Sequence, residues 1–105
     1  MLDLSTLKDR TYDIKLEDND ILQIKRPTQK MMKYVIEIQS LNQSELNEVE
    51  KQDKIFDFVT MIFNHNTADR TFTKEELEDM FDISIASYIV QDYLQMTLEV
   101  LSNPN

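Results

Sequence analysis

Not one glycine occurs among the 105 residues of this chain, although average usage of about 7% would supply roughly seven. Phosphate-binding P-loops, dinucleotide-binding turns and nucleophile elbows bring backbone close to a ligand or strain it, and each relies on glycine to do so. A nucleotide-binding or hydrolase function therefore loses its usual scaffold. Cysteine is absent too, which excludes disulfides and thiolate chemistry and suits a reducing compartment. His65 is the only histidine. A histidine base needs a nucleophile and an orienting group, and a zinc site usually needs several His or Cys ligands. Set between Asn64 and Asn66, His65 reads as part of a helix C-cap. No apolar run approaches the roughly 20 residues that span a bilayer. The opening Met1-Leu2-Asp3-Leu4-Ser5 has neither the basic nor the apolar region of a signal peptide. We expect a soluble, non-catalytic protein with no cofactor and no metal, which stays where it is made.

What the chain does have is acid. Asp and Glu number 20 against 11 Lys and Arg, for a formal charge of −9. The excess is uneven: residues 1–54 carry a net −2, whereas residues 55–105 carry −7 and only Arg70 and Lys74 as bases. Binding to DNA, RNA or anionic lipid needs clustered basic groups, so those partners are disfavoured. The acidity reads chiefly as a solvated face. Hydrophobic residues make up 41%, with six Met and five Phe, enough for a real core. Phe56, Phe58, Phe63, Phe72, Phe81, Tyr88 and Tyr93 lack the basic groove that accompanies a base-stacking platform, so they read as core. The Met residues read mainly as gap-fillers.

The apolar pattern predicts an α+β, mainly α fold in one domain over 1–105. It comprises an N-terminal β-hairpin over about 11–26 and helices over about 28–41, 44–64, 74–82 and 84–101. Tyr12, Ile14 and Leu16 share a face with Leu22 and Ile24 if Leu16 lies opposite Leu22 and Ile14 opposite Ile24. That register puts Asp13 opposite Lys25 and leaves a loop Asp18-Asn19-Asp20, where Asn19 or Asp20 would take the left-handed conformation usual for glycine. Pro27 ends the second strand and Thr28 caps a helix with Met31, Val35, Ile38 and Leu41 on one stripe. Ser40 or Ser44 would cap the next helix, which carries Leu46 and Val49 early and is apolar nearly all round from Ile55 to Phe63. Asn64-His65-Asn66 then stops it, with Asn in a left-handed cap. Thr73 and Glu76 form a capping box, and Phe72 and Leu77 occupy the positions of a hydrophobic staple. The last helix shows Ile85, Ile89, Tyr93, Met96 and Val100 as a stripe, widened by Tyr88, Leu94, Leu98 and Leu101.

Two acidic groups invite a chemical reading. Glu17-Asp18-Asn19-Asp20 superficially suggests a calcium loop, but the Gly, the closing Glu and the flanking helices of an EF-hand are all missing. Glu75, Glu76, Glu78, Asp79 and Asp82 lie along a short helix, in whose first turns carboxylates match the helix dipole. Acid–base work would require environments that push their pKa values apart.

The hairpin, the link Lys25-Arg26-Pro27-Thr28 and the all-helical remainder follow in that order. Together with Phe72-Thr73-Lys74-Glu75-Glu76-Leu77-Glu78 and Tyr93-Leu94-Gln95-Met96-Thr97-Leu98, this arrangement resembles the tail assembly chaperones of long-tailed bacteriophages and related prophages. The likeness is to the short form found in phages of Gram-positive hosts and runs from about Leu4 to Leu101. The resemblance implies a non-catalytic protein of the host bacterial cytoplasm, absent from the mature virion. It would bind the long tape measure protein, keep it soluble and help recruit major tail protein subunits around it. Many such proteins are made in two lengths, the longer by translational frameshifting. We expect partner contact through Phe56, Val59 and Phe63 of the second helix and Ile89, Tyr93, Met96 and Val100 of the fourth, by whatever part the core leaves exposed. A homo-oligomer stays open. The competing classes are a tail completion or connector protein of the virion and an acidic inhibitor that mimics DNA.

Overall fold

A computed structural model describes residues 1–4, 10–41 and 47–102, and the side chains of these apart from 41 and 97–102. Among the described residues the chain is α+β, mainly α. Strands β1 (Tyr12–Glu17) and β2 (Asp20–Ile24) form an antiparallel hairpin; helices α1 (Gln29–Leu41), α2 (Glu48–Asn64), α3 (Lys74–Met80) and α4 (Ile83–Ser102) follow.

The hairpin keeps the expected faces in a different register. Tyr12 lies opposite Ile24, Asp13 opposite Gln23 and Ile14 opposite Leu22, with an irregularity between Lys15 and Glu17. Leu16 is thus the extra residue of a bulge, and Asp18-Asn19 alone make the turn. The register predicted from pattern is two residues out, which a period of two cannot detect, because such a slip returns every side chain to the same face. Neither Asn19 nor Asp20 is left-handed: among the described residues Asp69, at φ 55°, is the non-glycine with positive φ. The bulge takes up the surplus residue, so the turn needs no strained backbone.

Thr28 caps α1, its Oγ1 accepting from the Met31 N–H at 3.2 Å, and Met31 and Val35 are buried on the expected stripe. Helix α2 begins later than predicted. Asn47 is its N-cap, accepting from the Glu50 N–H at 2.9 Å, while Ser40 turns back to the Glu37 carbonyl; Ser44 and Leu46 lie outside the described residues. From Phe56 to Phe63 the helix supplies the centre of the core, with Phe58, Val59, Ile62 and Phe63 fully buried. Thr60 satisfies its hydroxyl on the Phe56 carbonyl.

The capping box of α3 is formed: Thr73 accepts from the Glu76 N–H at 3.1 Å and the Glu76 carboxylate accepts from the Thr73 N–H. Phe72 and Leu77 are both buried. The helix ends at Met80, two residues before the predicted end, because Asp82 belongs to α4 and caps it through the Ile85 N–H at 2.9 Å. That cap sets the phase of α4. Ala86, Ile89 and Tyr93 face the core, whereas Ile85 is 49% and Tyr88 67% exposed, so the predicted stripe is corrected at those two positions.

At Asn64-His65-Asn66 the chain is turned by side-chain bonds rather than by left-handed backbone. His65 is the C-cap of α2 at φ −92°, ψ 40°, its N–H reaching the Ile62 carbonyl. Asn66 is 3% exposed. Its amide donates to the carbonyls of Phe63 (2.7 Å) and Arg70 (2.8 Å), and its oxygen accepts from the N–H groups of Ala68 (2.9 Å) and Arg70 (3.0 Å). Asn64 similarly exchanges both bonds with the backbone of Phe72. The left-handed residue in this loop is Asp69. Replacing it by valine should cost about 1–2 kcal/mol, since a branched Cβ is most penalised there. Asp69→Gly should stay within roughly 0.5 kcal/mol of the parent, because relieved strain and a looser unfolded chain offset. Urea midpoints of the two variants check this.

Candidate partner-binding groove

Among the described residues an apolar surface is left open where α1, α2 and α4 meet. Phe58 and Val35 form its floor, and Ile38, Ile55, Val90 and Leu94 form half-buried walls. Gln39, Ser87 and Gln91 make the rim, and the cleft encloses about 200 Å³. Each helix contributes residues three or four apart, which a 3.6-residue turn stacks on one face. Among the described residues no titratable side chain lines the groove, and its polar groups are the Gln39 and Gln91 amides and the Ser87 hydroxyl. It is smaller than the roughly 300–1,000 Å³ typical of small-molecule pockets and lacks their convergent polar groups. Its geometry suits a few side chains projecting from a partner helix.

The residues expected to contact a partner are placed differently. Phe56, Val59, Phe63, Ile89 and Tyr93 are buried in the core, and the structure brings them together as packing rather than as surface. Met96 is half-buried against the core, and the side chain of Val100 lies outside the described residues. The reason is general: the most apolar positions are the first taken into a core. What remains for a surface is the flank of each stripe, here Ile38, Ile55, Val90 and Leu94. Their spacing, i and i+4 for Val90 and Leu94, was the available signal.

Polar contacts around this frame tie its elements together. His65 Nε2 lies 2.9 Å from the Arg26 carbonyl oxygen and holds the link after β2. Tyr93, wholly buried, donates to the Lys25 carbonyl at 2.6 Å, and its ring lies 5.5 Å from that of Tyr12. Tyr12 donates to Asp92 at 2.7 Å. These contacts fasten the hairpin to α4. In the acidic turn, Asp20 is engaged by Arg70 at 2.7 Å. Lys74 of α3 bridges Asp53 and Asp57 of α2, and Tyr34 of α1 donates to the same Asp57 at 3.2 Å. Among the described residues no group of three or more His, Cys, Asp or Glu could hold a metal ion.

These settings shift several pKa values upward. Burial pushes Tyr34 up to about 12, aided by the Asp57 charge and hydrogen bond. Burial also raises Tyr12, with Asp92 adding to it, and raises Tyr93 against the opposing charge of Arg26. Burial alone would lower Lys74, but Asp53 and Asp57 outweigh it and the net shift is upward. All four groups hold their protons more tightly in the folded than in the unfolded chain. Their contribution is complete below the ordinary tyrosine value of 10.0 and is lost as pH rises through the folded values. The urea midpoint should therefore fall progressively above about pH 10. A midpoint independent of pH from 9 upward to about 12 would contradict these placements.

Comparison with protein-family models, with curated proteins and with solved structures finds no match to this chain. Among the described residues no helix is long and apolar enough to cross a membrane.

Proposed function

We propose that this chain is a non-catalytic tail assembly chaperone, which binds the tape measure protein of a long-tailed phage or prophage in the host cytoplasm. The observation that carries this is the open groove between α1, α2 and α4, apolar on floor and walls and lined by no titratable group among the described residues. Such a groove takes the apolar stripe of an amphipathic helix. The resemblance noted in Lys25-Arg26-Pro27-Thr28, Phe72–Glu78 and Tyr93–Leu98 supplies the partner. A tape measure exposes long apolar stripes until the tail tube encloses it, and covering them opposes aggregation. The charge of −9 keeps the loaded complex soluble and disfavours acidic competitors. Recruitment of major tail protein subunits and absence from the finished virion belong to the same proposal.

Co-expression with tape measure fragments tests it. We expect the fragments to become soluble and to co-purify with the chain. Val90→Glu and Leu94→Glu, which charge the groove walls, should abolish capture while leaving the far-ultraviolet circular dichroism unchanged. Failure of the parent chain to bind or solubilise any fragment rejects the proposal. Mass spectrometry of purified particles separates it from a connector protein, which would be present in the virion.

A further inference from the structure

The outer edge of β1 is unpaired among the described residues: the sheet contains β1 and β2 alone, and no further backbone bond reaches residues 12–17. Which groups it presents follows from the far side of the sheet. There the Lys25 N–H donates to the His65 carbonyl and the Thr67 N–H to the Gln23 carbonyl, around a bridge between Ile24 and Asn66. Gln23 and Lys25 therefore turn their backbone groups away from β1, and Leu22 and Ile24 turn theirs toward it. Their partners Ile14 and Tyr12 face inward in turn. By the alternation of an antiparallel ladder, Asp13 and Lys15 direct their N–H and C=O groups outward from the free edge.

We propose that two copies of this chain associate edge to edge through β1, antiparallel about a two-fold axis at Ile14. In that register Asp13 of one copy lies opposite Lys15 of the other, and Lys15 opposite Asp13, so both outward-facing residues exchange their backbone bonds. The side chains agree with the backbone. Asp13 and Lys15 are exposed on the solvent face, and the axis turns them into two opposite-charge cross-strand pairs. On the inner face Ile14 meets Ile14, and its burial is incomplete in the single chain: Tyr12, Ile14 and Leu16 are half-buried while Leu22 and Ile24 across the ladder are fully covered. A second copy extends that apolar face. Lys15 makes a 4.0 Å contact with the exposed Asp18, which is released at little cost. The bulge at Leu16 ends the straight part of the edge, and the charge of −9 on each copy opposes contact, so the dimer is weak and reversible.

Sedimentation equilibrium of the full chain over a concentration series, at physiological salt, tests this. The parent should show a reversible monomer–dimer equilibrium. Lys15→Asp alone places like charges opposite one another twice and should weaken association about tenfold, as should Asp13→Lys alone. The double variant Asp13→Lys/Lys15→Asp restores opposite charges and should return to within about threefold of the parent, a rescue that a merely structural role would not produce. In the parent, exchange of the Asp13 and Lys15 amide protons should slow as concentration rises, a readout independent of any variant. A chain that stays monomeric throughout overturns the proposal and leaves the edge to a strand from another protein. A dimer indifferent to the charge swaps, or one that leaves both amides exchanging freely, overturns it equally.

Discussion

Phe63→Ala should bring the protein to the edge of unfolding. The ring is fully buried, meets Phe72 edge-on at 5.4 Å and lies 5.6 Å from Phe81. It thereby joins α2 to both ends of α3. Removing a buried Phe typically costs about 3–5 kcal/mol through lost transfer energy and an unfilled cavity. Each aromatic contact contributes roughly 0.5–1.5 kcal/mol beyond burial. A domain of this size has only about 5–15 kcal/mol in total. The thermal midpoint should fall by about 12–40 °C at 4–8 °C per kcal/mol. Phe63→Leu, which keeps most of the volume, should cost about 1–1.5 kcal/mol. Calorimetry of both variants checks the contrast, and similar losses for the two would mean that the ring is not the joint found here.

Asn66→Ala should rank next, at roughly 2–4 kcal/mol, because it leaves the Ala68 and Arg70 N–H groups and the Phe63 and Arg70 carbonyls without their partner. Asn66→Asp is the sharper test, being nearly isosteric. The new carboxylate still accepts from the two N–H groups but faces two carbonyl oxygens where an NH₂ had donated. Ionisation is therefore disfavoured in the folded chain, and the pKa of the new carboxyl is raised above its unfolded value. The variant should be most stable at low pH and lose stability as pH rises through the folded pKa. The parent has no such dependence at this position. In both variants the amides of Lys25 and Thr67, which close the bridge between Ile24 and Asn66, should exchange faster with solvent.

Much of the fold was legible because several local signals agreed. The hairpin faces, the Met31–Val35 stripe, the capping box at Thr73 and the apolar run from Ile55 to Phe63 are each carried by residue types at the spacing their element requires. The misreadings have separate causes. A two-residue slip in the hairpin is invisible to alternation, and the bulge at Leu16 has no residue signature. In α4 the phase turns on Ala86, whose small side chain gives a weak periodic signal although it is fully buried, while bulky Ile85 and Tyr88 mark the outer side. Asn66 suggests a backbone device in the sequence because asparagine tolerates positive φ; its side-chain role depends on a loop path that pattern does not encode. The groove escapes the pattern because its lining is less apolar than the core. Hydrophobic strength selects buried residues first, so Phe56, Val59, Phe63, Ile89 and Tyr93 were drawn inward and their flanking neighbours were left to line the surface.

The fastening of the hairpin to α4 bears on the order in which the molecule is built. Tyr12 reaches Asp92 across 80 positions and Tyr93 reaches Lys25 across 68, whereas a two-stranded hairpin by itself is marginal in water. The hairpin leaves the ribosome before the helices yet is among the last elements to find its cover. Helices α1 to α3 can gather through nearer neighbours, but β1 must wait for α4 to be synthesised and seated before its apolar face is shielded. Long-range closure of this kind sets the pace of folding, and until it happens the nascent chain carries an uncovered strand that needs protection of its own.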